Sequence, residues 1–209
     1  MPSLPPAIEL SVHRLGEGPP LVALHDLGQS GQSMIDALAG VADEYRIIAP
    51  DLRGFGGSDC PEGAGNYDVD TLVGDFTGLL DTLGHEKAVF IGHDWGGILV
   101  WHAAMLAADR VQGVIGVNTP FMPRGPIDPI EGMRAVFGED MYIVYFQQFG
   151  VAEKMFEKDV SRSMRFWYRK SPMTLADFDK LPAEEKNLSF LKSFATDEST
   201  WGGGQLLNA

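Results

Sequence analysis

One stretch constrains the fold more than any other. An apolar run, Ala88-Val89-Phe90-Ile91, leads into Gly92-His93-Asp94-Trp95-Gly96-Gly97, and Ile98-Leu99-Val100-Trp101-His102-Ala103-Ala104-Met105-Leu106 follows. The first run reads as a buried strand and the last as a helix. The glycines between them permit a turn too tight for larger side chains, so residue 94 stands at the apex of a sharp strand-to-helix reversal.

The rest of the N-terminal half repeats the alternation. Ile8 to Leu15 alternates apolar and polar residues, as a half-buried strand does, and Gly16-Glu17-Gly18-Pro19-Pro20 is a turn. Leu21 to His25 is a second strand, Asp26 to Gly31 a loop, and Ser33 is expected to cap a helix carrying Met34, Ile35, Leu38 and Val41. Tyr45 to Ala49 is a third strand. Asp68 caps a helix whose Val69, Leu72, Val73, Phe76, Leu79, Leu80 and Leu83 fall at helical spacing, with Gly84 at its C-terminal cap. Val111 to Val117 supplies a fifth strand. Apolar strands alternating with helices predict an α/β architecture, a doubly wound and mainly parallel sheet. After Asn118-Thr119 the character changes. Pro120, Pro123, Pro126 and Pro129 punctuate a linker, and the remainder is helical and aromatic, a lid over the strand ends. The expected division is residues 1–119 for the core and 120–209 for the lid.

Composition excludes several classes. The formal net charge of −13 argues against a nucleic-acid partner. The single Cys60 has no disulfide partner, and no His/Cys cluster has metal-ligand spacing, so no metal is expected. Residues Met1 to Pro6 lack the basic and apolar parts of a secretory signal, and no apolar run nears the ~20 residues that span a bilayer. The expectation is a cytoplasmic protein without a membrane partner.

Asp94 directs the chemistry. Serine at such an apex suits acyl carbonyls. A carboxylate is a weak, charged nucleophile suited to displacement at a strained or activated saturated carbon, which points to epoxides or alkyl halides. The competing reading, that Asp94 is a plain helix cap, leaves the preceding strand and the glycine turn unexplained.

With Asp51-Leu52-Arg53-Gly54-Phe55-Gly56-Gly57-Ser58-Asp59, Phe90 to Gly97, Asn118-Thr119-Pro120-Phe121 and Tyr142 to Glu153 in view, the chain resembles the α/β-hydrolase fold and, more narrowly, the soluble epoxide hydrolases, from about residue 20 to about 170. The Asp-bearing turn is shared with haloalkane dehalogenases, whereas Tyr142-Ile143-Val144-Tyr145-Phe146-Gln147 is more particular to epoxide hydrolases. The resemblance implies that Asp94 forms a covalent hydroxyalkyl ester, that Tyr142 protonates or hydrogen-bonds the epoxide oxygen, and that the backbone N–H groups of Leu27 and Trp95 stabilise the oxyanion of the ester's hydrolysis. Neither metal nor organic cofactor is implied. His25, Trp95, Phe121 and Phe146 are the expected substrate contacts, and the apolar lid residues imply an apolar epoxide as the small-molecule partner. Tyr145 and Tyr168 are weaker candidates for the acid. His93 is expected to be structural, and His25 to brace the loop as well. His13, His85 and His102 carry no motif, residues 53–59 read as a shaped turn, and Glu153, Glu157 and Asp159 as a solvated face.

The chain departs from the family in two places. Where the family's loop reads His-Gly, an aromatic residue and Pro, this one reads His25-Asp26-Leu27-Gly28, and a carboxylate beside the hole would disfavour a second negative charge. The family's second lid tyrosine, orienting acid and catalytic histidine fall past residue 209. The resemblance therefore leads to the expectation of a second chain or C-terminal piece that completes the fold, with a homodimer as a further possibility, and of an exposed apolar edge at Val111 to Val117 without it. Two alternatives stay open: a haloalkane dehalogenase, against which Asp26 and Leu27 stand where a halide-binding Asn is common, and a non-catalytic binding protein or fragment of the same fold.

Overall fold

The computed structural model describes residues 8–170, 174–182 and 190–203; the N-terminal stretch read above as lacking a signal lies outside them. Contacts divide the chain into two units, Met1–Pro123 and Arg124–Ala209.

The first unit is built on five strands: β1 (Val12–Leu15), β2 (Pro20–Leu24), β3 (Arg46–Pro50), β4 (Ala88–His93) and β5 (Val111–Val117). Their order across the sheet is β1-β3-β2-β4-β5, with β1 antiparallel to β3 and the other pairs parallel. The helices are α1 (Gly31–Leu38), α2 (Val69–Thr82) and α3 (Trp95–Leu106). Alternation along the strands sorts the core into two layers. Leu21, Ala23, Ile47, Ala49 and Ile91 pack with Met34 and Ile35 of α1. Val22, Leu24, Ile48, Ala88 and Phe90 pack on the other face with Phe76, Leu79 and Leu80 of α2 and Leu99 and Val100 of α3. Covered on both faces, the central strands have no use for polar residues, hence their unbroken apolar runs. Each fully buried Leu, Ile or Phe here contributes roughly 1.5–3 kcal/mol.

Two expectations about this unit need correction. The first strand is shorter than the alternation from Ile8 suggests, because pairing with β3 begins only at Val12 opposite Pro50. The cap of α1 is Ser30, not Ser33. Ser30 Oγ accepts the Ser33 N–H at 3.4 Å while Ser33 Oγ accepts the Ser30 N–H at 3.1 Å, a reciprocal capping box. The helix thus starts at Gly31, whose N–H is taken by Asp51 Oδ1 at 2.8 Å. Asp68 caps α2, accepting the Thr71 N–H at 2.8 Å, and Gly84 adopts φ +72° just past the C-cap. At the sheet's edge β5 leaves Ile115 and Val117 partly open to solvent.

The second unit is helical in its described residues: α4 (Pro129–Phe137), α5 (Tyr142–Tyr145), α6 (Val151–Glu157), α7 (Val160–Trp167), α8 (Leu175–Asp179) and α9 (Phe190–Phe194). Phe166, Phe194 and Trp201 form its buried centre, with Met155 and Phe156 against them. The Arg162 guanidinium lies over the Phe194 and Trp201 rings, 4.7 Å from the latter's centroid. Asp159, expected to be merely solvated, caps α7 by accepting the Arg162 N–H at 2.9 Å.

Candidate active site

The strand order places the site. The chain runs from β2 to β3 on one side of the sheet and returns to β4 on the other, so the loops after β2 and β4 leave the sheet side by side at a topological switch point. Leu24 pairs with Gly92 there. Asp94 follows with φ 52° and ψ −110°, a conformation that side chains strongly resist and that costs on the order of 1–3 kcal/mol. Glycine geometry explains the turn. A Cβ on Gly92 would lie 2.1 Å from the Gly96 carbonyl oxygen, and one on Gly96 2.2 Å from that of Leu24. The turn closes only because both are glycine.

Residues just after β5 hold the strained backbone in place. The Asp94 N–H donates to Asn118 Oδ1 at 3.1 Å, and Thr119 Oγ1 donates to the Asp94 carbonyl at 3.0 Å. Asn118 is itself at φ +55°, the other non-glycine residue with positive φ among the described residues. Asn118-Thr119 stand out as a motif in the sequence, but their bonds to Asp94 exist only in the folded unit. The Trp95 N–H is the first amide of α3, a position with no intrahelical acceptor and at the positive end of the helix.

The loop after β2 is fixed from within. His25 has no exposed surface. Its Nδ1 donates to the Asp26 carbonyl at 2.7 Å and its Nε2 accepts the Leu52 N–H at 2.9 Å, which requires the neutral ring. Burial pushes the imidazole pKa down, in keeping with that tautomer. With both nitrogens and all its surface engaged, His25 braces the loop and offers nothing to a substrate in this arrangement, a correction to its place among the expected contacts. His93 Nδ1 reaches Gln29 Oε1 at 3.1 Å, the same oxygen that accepts the Asp26 N–H at 3.0 Å.

The Leu27 N–H also departs from expectation. It donates to Asp26 Oδ1 at 2.5 Å, so the residue's own neighbour occupies the amide assigned to the oxyanion. Burial first, then the charge of Asp94, raise the pKa of the Asp26 carboxyl.

Beside this loop lies a cavity of about 300 Å³, the low end of the range for small-molecule sites. Leu27, Leu52, Phe55, Val69, Leu72, Trp95, Ile98 and Leu99 make its wall almost wholly apolar, with Asp26, Arg53, Tyr67 and His102 also present. Trp95 is 41% exposed. Arg53, read from sequence as part of a shaped turn, is buried and pairs with Asp75 of α2 through Nε at 2.8 Å and Nη2 at 2.6 Å. Phe121 is half exposed and tilts against Trp101. In the second unit Tyr142 packs edge-on against Phe146, which also meets Tyr145, Phe156 and Trp167. Among the described residues no group of three or more His, Cys, Asp or Glu is placed to hold a metal ion, and no helix is long and apolar enough to cross a membrane.

The decisive comparison is with protein families. The profile described as alpha/beta hydrolase fold matches residues 19–208. The chain belongs to the α/β-hydrolase fold family. This α/β hydrolase is 43% identical over 164 residues to epoxide hydrolase A of Mycobacterium tuberculosis, covering 76% of the chain and 50% of the relative. It is 40% identical to epoxide hydrolase 3 of Siraitia grosvenorii over 71% of the chain and 48% of that protein. The crystal structure of epoxide hydrolase A from Mycobacterium thermoresistibile superposes with a TM-score of 0.75 at 40% identity, covering 82% of this chain and 55% of that one. An epoxide hydrolase from Vigna radiata gives 0.72 at 29% identity over 95% and 67%. The α/β hydrolase thus spans about half the length of the curated relatives it matches.

Proposed function

We propose that this α/β hydrolase acts on an apolar epoxide, adding water to give a vicinal diol through a covalent ester on Asp94. One observation carries the reading: a carboxylate, not a hydroxyl, stands at the strained apex between β4 and α3, in a chain whose similar relatives are named epoxide hydrolases. A side chain held at such a cost is displayed rather than packed. Asp94 Oδ attacks one epoxide carbon, the carbon–oxygen bond of the strained ring breaks, and the epoxide oxygen takes a proton, a role assigned to Tyr142 on the resemblance alone. General-acid help of this sort is worth on the order of 10²–10⁴-fold. The Trp95 N–H, at the start of α3, is suited to the oxyanion of the following ester hydrolysis. The apolar wall beside Leu27 and Trp95 favours an aryl or alkyl substituent. The setting is read as cytoplasmic, in line with the lone, exposed Cys60.

The test is intact-mass analysis after mixing with an aryl epoxide. A single adduct localised to Asp94, or turnover to diol, supports the reading. Chloride release from a haloalkane with no reaction of the epoxide would move the assignment to a dehalogenase. No adduct at any pH, with Asp94→Asn indistinguishable from the parent, would sink it.

A further inference from the structure

Asp75 engages only one edge of the Arg53 guanidinium. It takes Nε at 2.8 Å and Nη2 at 2.6 Å, which ties the loop after β3 to α2. A guanidinium carries five N–H groups, and two of them are on Nη1. Nη1 is buried and, among the described residues, has no hydrogen-bond partner. The side chain is 1% exposed, so bulk solvent does not serve that nitrogen. A buried donor on a charged group is costly to leave without an acceptor, so the tie to α2 does not account for Nη1.

The unserved donor belongs to the cavity beside the loop after β2. Arg53 is in the cavity wall and Asp75 is not. The edge that Asp75 holds therefore faces away, and the Nη1 edge is the one toward the cavity. The remaining wall suits an organic group. Trp95, Ile98, Leu99 and His102 of α3 fall at positions i, i+3, i+4 and i+7, one helix face about 10 Å long. Val69 and Leu72 of α2 add apolar surface. Other polar groups in the wall have partners of their own. The Tyr67 hydroxyl donates to the Pro61 carbonyl at 2.9 Å, His102 Nδ1 donates to the Ile98 carbonyl at 2.9 Å, and Asp26 Oδ1 accepts the Leu27 N–H.

We propose that this cavity is a subsite for one arm of the substrate, that the arm ends in an uncharged oxygen acceptor (a carbonyl, ether or hydroxyl), and that Arg53 Nη1 donates to it. The apolar wall takes the hydrocarbon, and one placed donor sets how deep it sits. A carboxylate does not fit. The Arg53 charge is already balanced by Asp75, and Asp26 stands in the same wall, so a further negative charge would enter apolar surroundings without a cation of its own. Arg53 thus acts on specificity and not on the reacting atoms. Use of the subsite by the substrate rests on the reading of Asp94 as the nucleophile, because the link is Trp95, which follows Asp94 and shares the cavity wall. Binding in the cavity does not depend on that reading.

The first arm of the test needs no chemistry. The chain is titrated by ¹⁹F NMR with para-fluoroacetophenone, with its isostere para-fluoro-α-methylstyrene, and with para-fluorobenzoate. The three compare a carbonyl oxygen, a methylene and a carboxylate in one shape. The ketone is expected to bind on the order of 10- to 100-fold tighter than the alkene, the loss that a missing bond to a charged donor implies, and the carboxylate no tighter than the alkene. Ile98→Trp, which fills the cavity, should weaken the ketone on the order of tenfold or more. The double variant Arg53→Met with Asp75→Leu replaces the ion pair by apolar residues, a change that proteins often tolerate, and in it ketone and alkene should bind within about twofold of each other. Equal binding in the parent, a ketone preference that survives in the double variant, or titrations unmoved by Ile98→Trp would each overturn the proposal. Should the double variant not fold, the parent and Ile98→Trp still decide. A second arm times alkylation of Asp94 by styrene oxides carrying a para-acetyl or a para-isopropenyl group. The acetyl compound should reach its half-maximal rate at a concentration lower by on the order of tenfold, and this advantage should vanish in the double variant. An advantage unchanged there counts against Arg53. If neither epoxide alkylates Asp94, the nucleophile reading fails by itself, while the ketone-to-alkene ratio still decides the subsite.

Discussion

The same chemical change, Gly→Ala, should act in opposite directions at two places in this molecule. At Gly92 an added Cβ would meet the Gly96 carbonyl oxygen at 2.1 Å and the Gly97 nitrogen at 2.6 Å. Both are backbone atoms in the turn that presents Asp94, so no flexible side chain can yield. The strand and helix would have to part by on the order of 1 Å, and forced overpacking of this kind costs about 1–3 kcal/mol. For a chain of this size that is a fall in Tm of roughly 3–10 °C. A nucleophile displaced by on the order of 1 Å loses about 10²-fold in rate, so alkylation of Asp94 in Gly92→Ala should drop by that factor. Gly74 and Gly78 of α2 supply the control. Both are exposed, and a Cβ at either meets nothing within 4 Å. There alanine removes unfolded-state freedom and should stabilise by about 0.5–1 kcal/mol each. Thermal melts of the three variants, with adduct formation timed by intact mass, decide the matter. A Gly92→Ala protein that melts within about 1 °C of the parent and alkylates as fast would refute the argument that the turn closes only on glycine.

Three further outcomes are expected. Asp75→Asn should cost about 3–5 kcal/mol in urea unfolding, because it strips the partner from an Arg53 side chain that is 1% exposed; a loss below about 1 kcal/mol would contradict this. Burial alone would raise the Asp51 carboxyl, but the N–H groups of Gly57 and Gly31 and nearby His13 outweigh it and hold the group below its ordinary value. Its contribution is therefore present above the unfolded-state value and lost as pH falls through the folded one, so Asp51→Asn should flatten the acid limb of stability against pH. Ser30→Ala should cost about 1 kcal/mol through the lost cap of α1, measurable by chemical denaturation.

Features legible in the sequence were those decided by near neighbours. The Asp68 cap, Gly84 at the end of α2 and the turn around Asp94 each depend on residues within a few positions. Ser30 and Ser33 form a reciprocal pair in which either serine is a plausible cap. What favours Ser30 is Asp51, twenty positions away, holding the Gly31 amide. The Arg53–Asp75 pair is not legible in the sequence for the same reason, since the loop after β3 and helix α2 meet only in the folded unit. At the site itself, Asp26 stood out as a departure in the motif. That its carboxyl would turn back onto the Leu27 amide, and that the charge of Asp94 would act on it, depends on the adjacency of the loops after β2 and β4, which the strand order creates.

Asn118 and Thr119 carry a consequence for how such a chain can be altered. Two side-chain bonds to the Asp94 backbone come from the last residues before the linker, beside the backbone bonds it makes with Val117 of β5 and Ile98 of α3. Recombination that exchanges everything after the sheet should therefore cut beyond Thr119, since a junction one or two residues earlier would remove side-chain bonds to the nucleophile's backbone without touching the nucleophile. Tension applied along the linker, by an attached domain or a surface tether, would reach the reactive carboxylate through the same two bonds.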